Sequence, residues 1–257
     1  MKILKIIWVL TFTFLYSTDI KGRVTYSGPD LPRKNYFDRI NTAEPVCGPV
    51  HTDKNILSED AVWDKESGAL GNCIVWLKGV SNSVKAPSDP VVLDQKGCVY
   101  KPHVFGIQVN QTLKIQNSDK AAHNVHTMPD GLKNFTGKNS GLKEWNKSTP
   151  AGIPATTKFE KSQDLPFYVK CDIHPWMRAW ILVQDHPYFA ITDENGNYTI
   201  KDVPPGEYEI VCWWEYYNYT KRNKKQKKLR PLKSSQIVVG DNTVNQDFDY
   251  SRNKKPK

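Results

Sequence analysis

Apolar positions along this chain recur in short runs of period two, each bounded by Gly, Pro, Asn or Asp. Phe167-Tyr168-Val169-Lys170 alternates apolar and amphipathic residues, and Ala179-Trp180-Ile181-Leu182-Val183 is a β-prone run behind it. Comparable runs lie at Ile20–Gly28, Gly71–Lys78, Val109–Ser118, Glu207–Trp214 and Gln236–Val239. Between them stand turn signals such as Asn195-Gly196 and Pro204-Pro205-Gly206. Runs of this length and period predict strands joined by tight turns. No segment carries the longer period of an extended amphipathic helix. The expected fold is all-β, and 257 residues suffice for one or two domains with a substantial core.

The N-terminus departs from this pattern. Met1-Lys2-Ile3-Leu4-Lys5 is basic, Ile6 to Tyr16 is an apolar run too short to span a bilayer comfortably, and Ser17-Thr18 are small. This predicts an export signal over residues 1–18, with the mature chain starting near Asp19. Because no Ala-x-Ala is present, an uncleaved membrane anchor stays open as the alternative. Export implies the periplasm or another extracytoplasmic compartment, where disulfides persist. Cys47 and Cys98 both sit in turn-like contexts and are the expected disulfide pair, whereas Cys73 and Cys212 lie in strand-like segments as buried thiols or a second bridge.

The fifth cysteine carries the chemistry. Cys171-Asp172-Ile173-His174-Pro175-Trp176-Met177 places a thiolate, an imidazole and a thioether within seven residues, and His123-Asn124-Val125-His126 precedes it on another predicted strand. A soft sulfur, two imidazoles and a distant thioether are what copper cycling between Cu(I) and Cu(II) favours. The spacing works if Cys171 ends one strand, the chain reverses tightly, and Met177 begins the next. Pro175 stiffens that loop and disfavours a helix through it. Zinc suits the set less well, since a thioether is a poor zinc ligand.

These motifs resemble the cupredoxins, and the loop is most similar to the amicyanin type, with Cys-x2-His-Pro-aromatic-Met after His-Asn-Val-His. The similarity extends upstream through Tyr100-Lys101-Pro102-His103-Val104 and Val109-Asn110-Gln111-Thr112-Leu113 to Asn117-Ser118-Asp119, covering roughly residues 90 to 184. Asn110 stands where the family has a turn Gly, and Leu165-Pro166 where it has Pro-Gly. Asn tolerates the left-handed turn conformation. The resemblance implies a Greek-key β-sandwich holding one type 1 copper on His123, Cys171, His174 and Met177. It further implies that Asn124 supports the Cys sulfur from behind. His126 should face away from His123 on a strand, and structural roles are expected for His103, His186 and His51.

A second resemblance covers the flanks. Ile191-Thr192-Asp193-Glu194-Asn195-Gly196-Asn197-Tyr198-Thr199-Ile200, followed by Pro204-Pro205-Gly206-Glu207-Tyr208, is similar to carboxypeptidase regulatory-like (transthyretin-like) β-sandwiches. Opening strands of such a sandwich are expected far upstream, at Ile20–Gly28 and Gly71–Lys78. The implied organisation is a cupredoxin domain (85–184) inserted into a smaller regulatory-like sandwich whose parts are 19–84 and 185–250, with a basic tail at 251–257. Insertion is tolerated because the ends of compact domains often lie close together.

Net charge is +9, and much of it is local. Lys221, Arg222, Lys224, Lys225, Lys227, Lys228 and Arg230 form seven cations without an acid, in an expected hairpin loop at 221–233. That loop is either a solvated excursion or a docking surface for an acidic redox protein or an anionic surface. Nucleic acid is disfavoured by export.

The expected function is electron transfer as a copper protein rather than an enzyme, with His174, Pro175 and Trp176 as the electron-entry edge. Multicopper oxidases bridge their sites through His-Cys-His, and Cys171 lacks that flanking. A copper-delivery or structural cupredoxin module is the alternative, although Met-rich tracts are missing from a chain with three Met.

Overall fold

The computed structural model describes residues 17–31, 33–44, 46–81, 84–131, 140–216 and 232–251. The residues of the expected signal up to 16, most of the basic loop and the basic tail beyond 251 lie outside them. The described chain is all-β, with one short helix and one 3-10 turn. Two β-sandwiches share it.

The first sandwich is built from both flanks of the sequence. Strand β1 (Thr18–Thr25) pairs antiparallel with β13 (Asn197–Val203) and parallel with β16 (Val244–Asn245) and β17 (Phe248–Asp249). The facing sheet runs β12 (Phe189–Ile191), β2 (Ile74–Lys78), β14 (Gly206–Trp213), β15 (Lys233–Val239). Their core includes Ile20, Val24, Val75, Leu77, Ile200, Ile210 and Trp214. Strand β2 lies between β12 and β14, so an element preceding residues 85–184 completes a sheet formed mainly after them. Cys73 and Cys212 are buried free thiols of this core, not a second bridge. Burial holds the Cys73 thiol well above its ordinary value.

The second sandwich lies between those flanks. One sheet runs β5 (Val104–Gln108), β11 (Arg178–Gln184), β10 (Phe167–Lys170), β7 (His123–Met128), β8 (Trp145–Thr149). The other runs β4 (Tyr100–Lys101), β3 (Val91–Gln95), β6 (Leu113–Asn117), β9 (Ala155–Thr157). Asn110 takes the left-handed conformation, φ 64°, in the turn between β5 and β6.

Strands that read as continuous apolar runs are buried on both faces. Ala179, Ile181 and Val183 of β11 enter the core of their own sandwich, while Trp180 and Leu182 enter a third cluster with Ile74, Trp76, Val104, Val211 and Trp213. That cluster joins the sheet of β11 to the sheet of β2 and β14. Gly106 is needed there, because a Cβ would lie 2.3 Å from the Phe189 ring.

One helix, α1 (Phe37–Ala43), lies at the cysteine-rich end of the second sandwich. Asn35 Oδ1 accepts the N–H groups of Phe37 and Ile56, fixing its start, and Ile40 drops into the sandwich core. Beyond the helix, Cys47 forms the expected disulfide with Cys98.

Candidate metal centre

Cys171 follows the last residue of β10, and Met177 immediately precedes β11. The reversal between them is held by Cys171 N–H donating to Met177 O at 3.3 Å and Met177 N–H donating to His174 O at 2.9 Å. The expected strand-loop-strand arrangement is present. His123 opens β7, the neighbour of β10, and so reaches the same end of the sheet.

The loop and strand converge on three buried ligand atoms. His123 Nδ1 and His174 Nδ1 face each other at 2.8 Å, and Cys171 Sγ lies 3.8 Å from His174 Nδ1. One ligand atom from each of the three residues falls within 4.8 Å of the others. Met177 is buried in the same core as Cys171, at 1% exposure.

The sulfur is electrostatically biased toward the thiolate. Burial alone would raise the Cys171 thiol, but contacts with His123 and with backbone at Asn124, His174 and Ile173 outweigh it and hold the thiol below its ordinary value. His174 N–H points at Sγ from 3.4 Å. Asn124 Oδ1 lies 3.3 Å from Sγ and accepts Asp172 N–H at 2.8 Å, which ties β7 to the Cys loop. Tyr100 Oη donates to Asn124 O at 2.5 Å from the opposite sheet. Asn124 thus touches both the Cys171 sulfur and the loop backbone.

The imidazoles differ electrostatically. Burial lowers the affinity of His123 for a proton, yet hydrogen bonding to Asp119 and Cys171 carries it up to about 9. His174 is held below its ordinary value by burial and then by the neighbouring His123 charge.

A soft sulfur held low, two buried imidazoles meeting through Nδ1 and a buried thioether beside them fit copper better than a hard cation, which prefers oxygen ligands. The residues that would hold it are His123, Cys171, His174 and Met177.

Two carboxylates absent from the expected site approach it closely. Asp119 Oδ2 accepts His123 Nε2 at 2.9 Å, and Glu44 Oε2 lies 3.4 Å from His174 Nε2. Asp119 had a signal only as part of the Asn-x-Asp motif, and Glu44 had none. The expectation of an open His174 edge is corrected here: His174 is only 3% exposed, with Glu44 Oε2 3.4 Å from its Nε2. Pro175 is exposed and Trp176 half-buried, its Nε1 donating to Cys98 O at 2.9 Å beneath the Arg39 guanidinium.

Of the other histidines, His126 faces away from the ligand atoms and bonds Asp172 and Glu144 near the surface. His103 is buried against Glu215 at 2.6 Å, His186 stacks on Tyr188, and His51 bonds Gly97 O.

No protein-family model matches this chain, and no curated protein does. Among solved structures, it is similar to a reduced tryptophan-to-tyrosine mutant of amicyanin at 17% identity, covering 43% of this chain and 98% of that one, TM-score 0.31. The purple cupredoxin from Nitrosopumilus maritimus is similar at 20% identity over 36% of this chain and 98% of that one, TM-score 0.29. The copper-containing nitrite reductase of Thermus scotoductus SA-01 is similar at 20% identity over 42% of this chain, TM-score 0.31, and the chain spans only 25% of that enzyme's length. Each of these likenesses covers less than half of this chain.

Proposed function

We propose that this chain is an exported mononuclear blue-copper protein that carries electrons, with His123, Cys171, His174 and Met177 holding one copper ion. The observation that carries this reading is the convergence of two imidazole Nδ1 atoms and a low-lying thiol on one buried point. Copper bound there would supply a one-electron couple. The chain's own contribution is rigidity: strands β7, β10 and β11 fix the ligand side chains, burial excludes water, and the bonds of Asn124 hold the loop against the strand. Little then has to reorganise when the charge at the site changes. We read the chain as a carrier rather than an enzyme, since a copper-dependent oxidase or nitrite reductase would need further metal ligands. Copper delivery or a structural cupredoxin module is the second reading.

We further assign residues 85–184 to the copper domain and residues 19–84 with 185–250 to one regulatory-like sandwich, in keeping with the pairing of β1 with β13 and of β2 with β12 and β14. Export accords with the disulfide. No described helix is long and apolar enough to cross a membrane. The partner is a redox protein; the cations from Lys221 to Arg230, which lie outside the described residues, are either a solvated loop or a docking surface for an acidic partner.

The deciding experiment is the visible spectrum of the copper-loaded chain. Cu(II) on one covalent thiolate gives an intense blue to green band that bleaches with reductant, and Cys171→Ser removes it. A colourless Cu(II) form, or metal binding unchanged in Cys171→Ser, refutes the assignment.

A further inference from the structure

Both imidazoles of the site have a carboxylate on the outer nitrogen, and both carboxylates are fixed through one disulfide. Asp119 accepts not only His123 Nε2 but also Gly97 N–H at 2.6 Å and Cys98 N–H at 2.8 Å. These two amides converge because Gly97 and Cys98 are consecutive left-handed residues, φ 70° and 55°, forming a concave anion seat. Cys98 is bonded to Cys47, and Cys47 N–H and Gly48 N–H both donate to Glu44 O, at 3.0 and 3.3 Å. Glu44 is therefore held one turn from the disulfide, with its side chain 3.4 Å from His174 Nε2. Trp176 Nε1 donates to Cys98 O, and its ring lies 5.2 Å from that of His174.

We propose that Asp119 and Glu44 are positioning residues for the two copper-binding imidazoles, and that the Cys47–Cys98 disulfide clasps both carboxylates in place so that the oxidised ion is favoured. The proposal rests on the copper reading above. A carboxylate accepting the outer N–H fixes the tautomer with the lone pair on Nδ1, directs the ring and raises its basicity as a ligand. Two such carboxylates add negative charge next to the metal, and this stabilises Cu(II), the more highly charged ion, over Cu(I). Asp119 has the larger effect, being buried and at hydrogen-bond distance. Glu44 has the smaller one, since its side chain is 26% exposed and its contact longer.

The test compares the reduction potential and the separate Cu(II) and Cu(I) affinities of the full-length parent with those of Asp119→Asn, Glu44→Gln and the paired Cys47→Ser/Cys98→Ser variant. Asp119→Asn removes the charge and keeps one oxygen acceptor, enough for one of the two amides, because Gly97 N–H meets Oδ1 and Cys98 N–H meets Oδ2. It is expected to shift the Cu(II)/Cu(I) ratio at fixed poise at least tenfold toward Cu(I), about 59 mV upward for one electron. Glu44→Gln, at a partly exposed position that tolerates the change, shifts it the same way by a smaller factor. The cysteine pair variant moves it upward with copper still bound. Cu(II) affinity falls in each variant while Cu(I) affinity holds. Variants that keep the thiolate band but leave potential and Cu(II) affinity within about twofold of the parent overturn the proposal, even if they lose thermal stability. A parent without the thiolate band overturns the copper reading, and the proposal falls with it.

Discussion

Trp180 and Trp213 meet with ring centroids 4.8 Å apart and planes inclined at 54°, although their strands, β11 and β14, belong to different sandwiches. Trp180 is fully buried and Trp213 nearly so, and around them close Ile74, Trp76, Val104, Leu182 and Val211. Strand β11, which follows Met177, is thus braced from behind by the first sandwich.

Trp180→Ala is expected to destabilise the chain by about 3–5 kcal/mol, the usual cost of truncating a buried tryptophan. Denaturant unfolding followed by fluorescence should also lose coincidence between the two sandwiches, with separate transitions replacing one. A loss below about 1 kcal/mol with a single unchanged transition would refute a tight joint.

The joint also contains a buried charged pair. His103 Nε2 lies 2.6 Å from Glu215 Oε2, with Arg178 3.8 Å from the other carboxylate oxygen. Burial would depress His103, but the Glu215 charge overrides it and His103 lies above its ordinary value; burial would lift Glu215, yet His103 holds it below. The raised His103 adds stability that is complete below about pH 6.5, its unfolded value, and fades as pH climbs through the folded value. The lowered Glu215 adds stability that is present above its unfolded value, about 4.3, and is lost as pH falls through the folded one. His103→Gln should therefore cost about 3–5 kcal/mol near pH 6. It should also flatten the alkaline decline in stability measured by urea unfolding across pH 6 to 9. An unchanged slope would show that the pair does not set it.

Met177 tests the axis of the proposed site. A weak thioether tunes potential more than it retains metal. Met177→Gln should thus keep copper with an affinity loss under tenfold, about 1.4 kcal/mol, and lower the reduction potential in protein-film voltammetry. Loss of copper with the fold intact would show that Met177 holds the metal rather than tuning it.

Much of the site was legible from the chain alone. The ligand run from Cys171 to Met177 is local, its flanks alternate as strands must, and a tight reversal between two paired strands brings its residues together whatever the rest of the molecule does. His123 was readable because it opens a strand-like run, and its neighbour Asn124 bonds across to the loop. The turn role of Asn110 and the pairing of Cys47 with Cys98 were also accessible from local context.

By itself, then, the sequence determined the all-β class and the strands that carry the candidate residues, because period-two burial and local spacing are properties of neighbouring residues. Only the tertiary structure decided what stands behind each ligand. Glu44 gave no local sign of meeting His174, and His103 gave none of meeting Glu215, since each pair is brought together by how sheets and helix α1 pack. Likewise, the unbroken apolar runs of β2 and β11 announce burial on both faces, but the partner of the second face is chosen by the docking of one sandwich on the other. The supposed open edge at His174 failed for the same reason: exposure is decided by what packs around a residue, and Glu44 meets His174 from a distant segment.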